Sequence, residues 1–284
     1  MAEIKIRLLK VLGIALVAAV PAGCVSMMDS GWGEGRGTTV NQPATAESEI
    51  NIASLTDVIK RNPSDANAYN TRGAAYARIR QYSDAMQDFN RALQLNPALT
   101  EAYANRALVL RETGKPDQAL ADFTRAINTN ANYAPAYLGR GNLYRLRGNY
   151  PQALQDLNTA IRLQPESAEA VHARGLLYQR EGKHEDAVMD FNTAIDRNPF
   201  VAPPYLARGQ SLTALGRYDK AMEDFNAALN VDKNLADGWA GRGLVFEKQN
   251  KRQEAIEAYQ TALSMDSNNA LAREGMRRVR PSLF

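Results

Sequence analysis

A single cysteine among 284 residues, Cys24, excludes a disulfide framework, so the chain must be held together by packing alone. Only two histidines are present, His172 and His184, and neither stands at metal-ligand spacing from other ligands. No phosphate loop and no nucleophile elbow can be read anywhere. Nor is there an apolar run long enough to cross a bilayer as a helix, the best being "VLGIALVAAV" at 11–20. An excess of one charge is missing too. Lys and Arg number 34 against 31 Asp and Glu, and setting aside residues 1–23 leaves 31 against 30. Such a balance lacks the electrostatic footprint that nucleic-acid binding requires. These absences point away from an enzyme and from any cofactor or metal, and toward a chain that works by contact with other proteins.

What is present is a repeat. The step that closes one unit falls at Pro63, Pro97, Ala131, Pro165, Pro199, Lys233 and Ser267, always 34 residues apart. A fixed period in this range means stacked supersecondary units. Six units result: 66–99, 100–133, 134–167, 168–201, 202–235 and 236–269. The fourth place of a unit is aromatic in five copies (Tyr69, Tyr103, Tyr137, Tyr205, Trp239). The eighth is small (Gly73, Ala107, Gly141, Gly175, Gly209, Gly243), and the eleventh large (Tyr76, Leu110, Tyr144, Tyr178, Leu212, Phe246). That spacing marks one face of a helix. The second half carries Ala at the twentieth and twenty-seventh places of every copy, with Phe89, Phe123, Leu157, Phe191, Phe225 and Tyr259 at the twenty-fourth. Gly114, Gly148, Gly182 and Gly216 lie between the halves and suit a helix C-terminus. Each unit therefore reads as an antiparallel helix hairpin, in which the small eighth place is expected to lie against the alanine of the twentieth.

The seventh place is Arg throughout (Arg72, Arg106, Arg140, Arg174, Arg208, Arg242), and the twenty-third is Asp in five copies (Asp88, Asp122, Asp156, Asp190, Asp224). A guanidinium fork can grip a carboxylate bidentately, so an ion-pair ladder that sets hairpin register is expected. Pairing within a unit strands Arg242, whereas pairing with the preceding unit strands Arg72; the spacing alone leaves both open.

On these aromatic, small and Pro places the units resemble tetratricopeptide repeats over residues 66–269. The resemblance implies an all-α, right-handed superhelical solenoid whose first helices line a concave groove. Arg at the seventh place, where the family commonly has Leu, is a departure. Residues 48–65 read as an N-terminal capping helix, and 270–284 as a C-terminal capping helix and tail with a polar outer face.

Residues 1–23 have basic Lys5, Arg7 and Lys10 ahead of the short apolar run, the pattern of a secretory signal. "PAGC" follows and resembles a bacterial lipobox, with Cys24 as the lipidated residue, although Pro21 stands where an apolar residue is usual. Ordinary signal cleavage after Ala22 is the alternative. Residues 24–47 read as a flexible tether. The expected location is the outer membrane, facing the periplasm through the lipid on Cys24, or the soluble periplasm if the alternative cut is used.

Where the copies stop agreeing, recognition has room. The second, fifth, ninth and twelfth places of each first helix are expected to face the groove. Candidate partner-binding residues there are Asn70, Arg111, Leu138, Asn142, Arg145, His172, Leu176, Gln179, Leu206 and Gln210. They suit an extended peptide or a partner helix. The layout is similar to the new lipoprotein I family, which implies a scaffold for envelope hydrolases or proteases and a homodimer. A pilotin-like assembly lipoprotein of a pilus or secretion system shares it.

Overall fold

In the computed structural model, residues 43–280 are described, with their side chains from residue 52 onward. The signal segment, most of the tether and Cys24 lie outside the described residues. Every regular element among the described residues is a helix. After α1 (Pro43–Arg61) come six hairpins: α2 (Ala66–Arg78) with α3 (Tyr82–Leu95), α4 (Thr100–Glu112) with α5 (Pro116–Thr129), and α6 (Ala134–Leu146) with α7 (Tyr150–Leu163). They continue as α8 (Ala168–Arg180) with α9 (His184–Arg197), α10 (Ala202–Ala214) with α11 (Tyr218–Val231), and α12 (Ala236–Lys248) with α13 (Arg252–Met265). The series closes on α14 (Ala270–Val279).

Local chemistry sets the boundaries. Asp65, Ser167 and Asn269 cap α2, α8 and α14, each side chain accepting from the backbone N–H three residues on at 3.0–3.1 Å. Between hairpins, Asn96, Asn130, Asn198, Asp232 and Asp266 occupy one repeat place, and each accepts from the N–H two residues later at 2.9–3.2 Å. These Asx turns stop one helix and launch the next. Within a hairpin the chain reverses through a left-handed residue, φ 73–75° at Gly114, Gly148, Gly182 and Gly216. Arg80 and Asn250 hold the same place in the first and sixth hairpins at φ 62° and 60°, so the backbone path is kept where glycine is not. The N-terminal helix starts at Pro43, five residues inside the stretch expected to be tether. Proline fits the first helical position because its missing N–H would have had no partner there.

The core is a row of interlayer side chains. Phe89, Phe123, Leu157, Phe191, Phe225 and Tyr259 are fully buried, as are the alanines of the twentieth and twenty-seventh places. The glycines of the eighth place serve these rings more than the alanines. A Cβ on Gly175 would lie 2.6 Å from Phe191 Cε1, and one on Gly141 would lie 3.0 Å from Leu157 Cγ. The expected contact of the eighth place with the twentieth is present at Gly73, where a Cβ would lie 3.2 Å from Ala85 O, while the atom nearest each eighth-place glycine belongs to the side chain of the twenty-fourth place.

Each helix packs most extensively on its hairpin partner. Successive first helices α2, α4, α6, α8, α10 and α12 also touch one another, whereas successive second helices make no comparable contact. Helices that converge on one side and splay on the other put the inner face of the array on the first helices.

Candidate functional site

Two sets of side chains were candidates, and the fold treats them differently. The arginines of the seventh place each reach the aspartate sixteen residues on, within their own hairpin. Arg72, Arg106, Arg140, Arg174 and Arg208 donate from Nε to Oδ2 at 2.6–2.9 Å and from Nη2 to Oδ1 at 2.6–2.9 Å. Asp88, Asp122, Asp156, Asp190 and Asp224 are buried. The remaining Nη1 crosses to the preceding second helix, where Thr56, Asn90, Thr124, Asn158 and Asn192 accept at 2.6–3.2 Å. Each arginine therefore ties three helices. The hydrogen bond to Asp156 holds Arg140 charged more firmly than an ordinary guanidinium, against the opposing effect of burial. Geometry decides what spacing left open: the pairs are internal to each hairpin, and Arg242 is the residue left over.

The groove candidates split into two groups. Asn70, Arg111, Leu138, Asn142, Leu176 and Gln210 are half-buried on the first helices. Asn70 accepts from Asn105 Nδ2 at 3.1 Å, and Arg111 holds Glu112 at 2.7 Å. Arg145, His172, Gln179 and Leu206 are buried at 4–9 % exposure, which corrects the expectation that they face an open groove. The reason is the close contact of neighbouring first helices. At Arg145, His172, Gln179 and Leu206 the fifth and twelfth places fall in the seam between them, so those four side chains become interhelix filling, whereas Asn70, Leu138 and Arg111 of the same two rows stay half-buried. Gln179 Nε2 donates to Ala207 O at 3.0 Å and to Ser211 Oγ at 2.9 Å, joining α8 to α10. The His172 ring lies 5.6 Å from that of Phe191. Burial, with the nearby Arg145 charge, drives the His172 pKa down to about 3 despite a hydrogen bond with the Pro203 backbone. A histidine held neutral in this way is a packing residue and cannot serve as a base at ordinary pH.

The ninth place is the row that stays accessible. Ala74, Leu108, Asn142, Leu176, Gln210 and Leu244 are all half-buried, one per first helix, and from the second hairpin onward the row alternates leucine with amide. Sequence reasoning named three of these as candidates. Ser211 and Asn105, which tie first helices together, were missed because the other copies carry mostly small or apolar residues at their places, so no repeated polar signal marks them; only a structure shows their partners.

At the C-terminal end α14 is latched. Arg278 grips Glu247 at 2.6 and 3.0 Å, Tyr259 donates to the same carboxylate at 2.7 Å, and Arg252 Nε donates to Val279 O at 2.7 Å. Arg277 pairs with Glu274 along the helix. Among the described residues no group of three or more His, Cys, Asp or Glu is placed to hold a metal ion.

Comparison with known proteins follows this geometry. Models described as "Tetratricopeptide repeat" match residues 66–99 and 236–269 and, in a second variant, 100–133 and 168–200. One described as "TPR repeat" matches 141–182 and 209–250. Together they cover more than half of the chain. No curated protein matches it. Among solved structures, a chain of the APC/C hetero-tetramer Cut9–Hcn1 superposes with a TM-score of 0.76 at 20% identity, covering 84% of this chain and 47% of that one, so the chain spans about half of that relative. PilF of Pseudomonas aeruginosa gives 0.67 at 18%, covering 77% and 99%. YrrB, described as a TPR protein with an unusual peptide-binding site, gives 0.52 at 23%, covering 66% and 97%. At these identities the likeness is one of fold. Repeat models, helix order and hairpin packing agree, and the chain belongs to the tetratricopeptide repeat family, whose fold is that of a protein-interaction scaffold.

Proposed function

We propose that this chain is a non-catalytic docking scaffold of the bacterial cell envelope, tethered to a membrane by lipid on Cys24. Other proteins are held along the inner face of α2, α4, α6, α8, α10 and α12. The observation that carries the reading is the ninth-place row. Scaffold places repeat the same chemistry, while Leu108, Asn142, Leu176, Gln210 and Leu244 alternate apolar and amide groups at half-exposed positions. Apolar groups supply buried area, and amides can satisfy the backbone of a bound segment, the requirements of peptide recognition. A peptide-binding site reported for YrrB is consistent with such a use of the fold. Anchoring rests on the sequence around Cys24, with the outer membrane facing the periplasm as the proposed site, and hydrolases or proteases as the proposed partners.

In-cell crosslinking of a C-terminally tagged chain, followed by detergent extraction and mass spectrometry, tests this reading. Asn142→Arg with Gln210→Arg adds charge to the half-buried row; because Asn142 Oδ1 accepts from the buried Arg145 Nε at 3.5 Å, circular dichroism of the double variant must first show unchanged helicity. Envelope hydrolases or proteases recovered with the wild type and lost with this double variant support groove docking. An unchanged catch overturns it, and recovery of a secretin or pilus subunit replaces the hydrolase reading with an assembly role. Cys24→Ala must move the protein from the membrane fraction to the soluble one; retention in the membrane overturns the lipid anchor.

A further inference from the structure

The ladder of internal ion pairs ends one rung short. In α12 and α13 the seventh place is Arg242 as usual, but the twenty-third is Ala258. Five sister arginines spend Nε and Nη2 on a buried aspartate. Arg242 has no carboxylate within reach among the described residues, and its Nε is buried without an acceptor. Asn226, at the place where sister arginines find a third acceptor on the preceding helix, is exposed and takes no bond from it. Burial accordingly lowers the affinity of Arg242 for its proton, the reverse of the direction seen for Arg72, Arg140, Arg174 and Arg208.

The guanidinium is nevertheless held in place. It lies 4.5 Å from the ring centroid of Trp239, closer than the 5.6–5.9 Å that separate the sister arginines from their tyrosines. Stacking on a tryptophan face fixes the plane of the fork while leaving its donors unspent. Trp239 Nε1 is a second buried donor without an acceptor, three residues away on the same helix. Buried donors are nearly always satisfied, and a fork whose sisters all hold carboxylates is shaped for one. Arg242 itself is only half-buried, so part of its side chain meets solvent although Nε does not.

We propose that Arg242 and Trp239 form a docking notch for an aspartate or glutamate side chain of a partner protein, which completes the sixth rung of the ladder. The occupant follows from charge complementarity, since five copies of the same frame are each filled by a carboxylate. The inference rests on the scaffold reading but uses a different surface, the flank where first and second helices of a hairpin meet, so the notch and the groove can fail separately.

Nitrogen-15 NMR of the protein titrated with N-acetyl-aspartyl amide, and with N-acetyl-asparaginyl amide as control, reads the notch directly. The Arg242 Nε–H and Trp239 Nε1–H resonances are expected to shift saturably with the aspartyl compound, and about tenfold more weakly with the neutral one. Ala258→Asp supplies an internal carboxylate and should abolish the response; Arg242→Leu should leave the Trp239 resonance unmoved. Equal responses to the two compounds, or a response that survives either variant, overturn the notch. In crosslinked cells a partner lost with Arg242→Leu, yet kept with Asn142→Arg and Gln210→Arg, supports the protein occupant. A catch indifferent to Arg242→Leu overturns that occupant while leaving the groove reading untouched.

Discussion

Arg140 and Asp156, sixteen residues apart, meet fork to fork, with Nε to Oδ2 at 2.7 Å and Nη2 to Oδ1 at 2.9 Å, while Nη1 reaches Thr124 of the preceding hairpin at 3.2 Å. The carboxylate is 5% exposed and the arginine 18%. A pair so enclosed gives modest net stability, because its desolvation offsets much of its attraction. Breaking one side is another matter.

Asp156→Ala should lower stability by about 2–4 kcal/mol, since it leaves the Arg140 guanidinium enclosed without a counterion. Arg140→Leu combined with Asp156→Leu should recover much of that loss, as the apolar pair carries no unmet charge. Urea unfolding of both variants checks the pair. Equal destabilisation by the single and the double change would remove the ion pair as the explanation.

His172 supplies a pH dependence. Its pKa falls from an ordinary value near 6.5 when unfolded to about 3 when folded. Between those values the unfolded chain binds the extra proton, so stability falls as pH drops from 6.5 toward 3, by roughly 1 kcal/mol per pH unit from this residue. Unfolding measured at pH 7 and pH 4.5 should show that slope, and His172→Leu should flatten it. An identical slope in the variant would assign the acid sensitivity to other groups.

Arg80 stands at φ 62°, where four other hairpins use glycine. Left-handed backbone costs a side-chain-bearing residue about 1–2 kcal/mol, of which glycine's greater unfolded freedom returns about 0.5–1. Arg80→Gly should therefore raise stability by roughly 0.5–1 kcal/mol, visible as a higher melting temperature. A decrease would mean that the Arg80 side chain contributes contacts worth more than the strain.

Gly175→Ala tests the core in the opposite sense. Alanine is the better helix former by about 1 kcal/mol, yet the added methyl would stand 2.6 Å from the Phe191 ring. Overpacking should win, with a net loss of about 1–3 kcal/mol in thermal or denaturant unfolding. A stabilised variant would show that the Phe191 ring has room to retreat.

Much of this architecture was written in the chain. The 34-residue period, the alanines of the twentieth and twenty-seventh places and the turn glycines make hairpins by local rules, and a fork facing an aspartate in five copies makes a pair whichever neighbour supplies it. Asx turns and left-handed residues follow from the same local chemistry, so element order was legible at single-residue scale. The sequence could not say that Arg140 chooses Asp156 over Asp122, because both lie at compatible spacing and only the packed position of each helix brings one within 3 Å. Nor could it say that His172, Gln179, Arg145 and Leu206 sink into the seam between first helices while the ninth-place residues stay accessible. Both rows carry the same helical period; exposure depends on how closely one helix approaches the next. Periodicity determined the hairpins, and tertiary contact alone decided which pairs close, which face remains accessible and that Arg242 is left with a vacant rung.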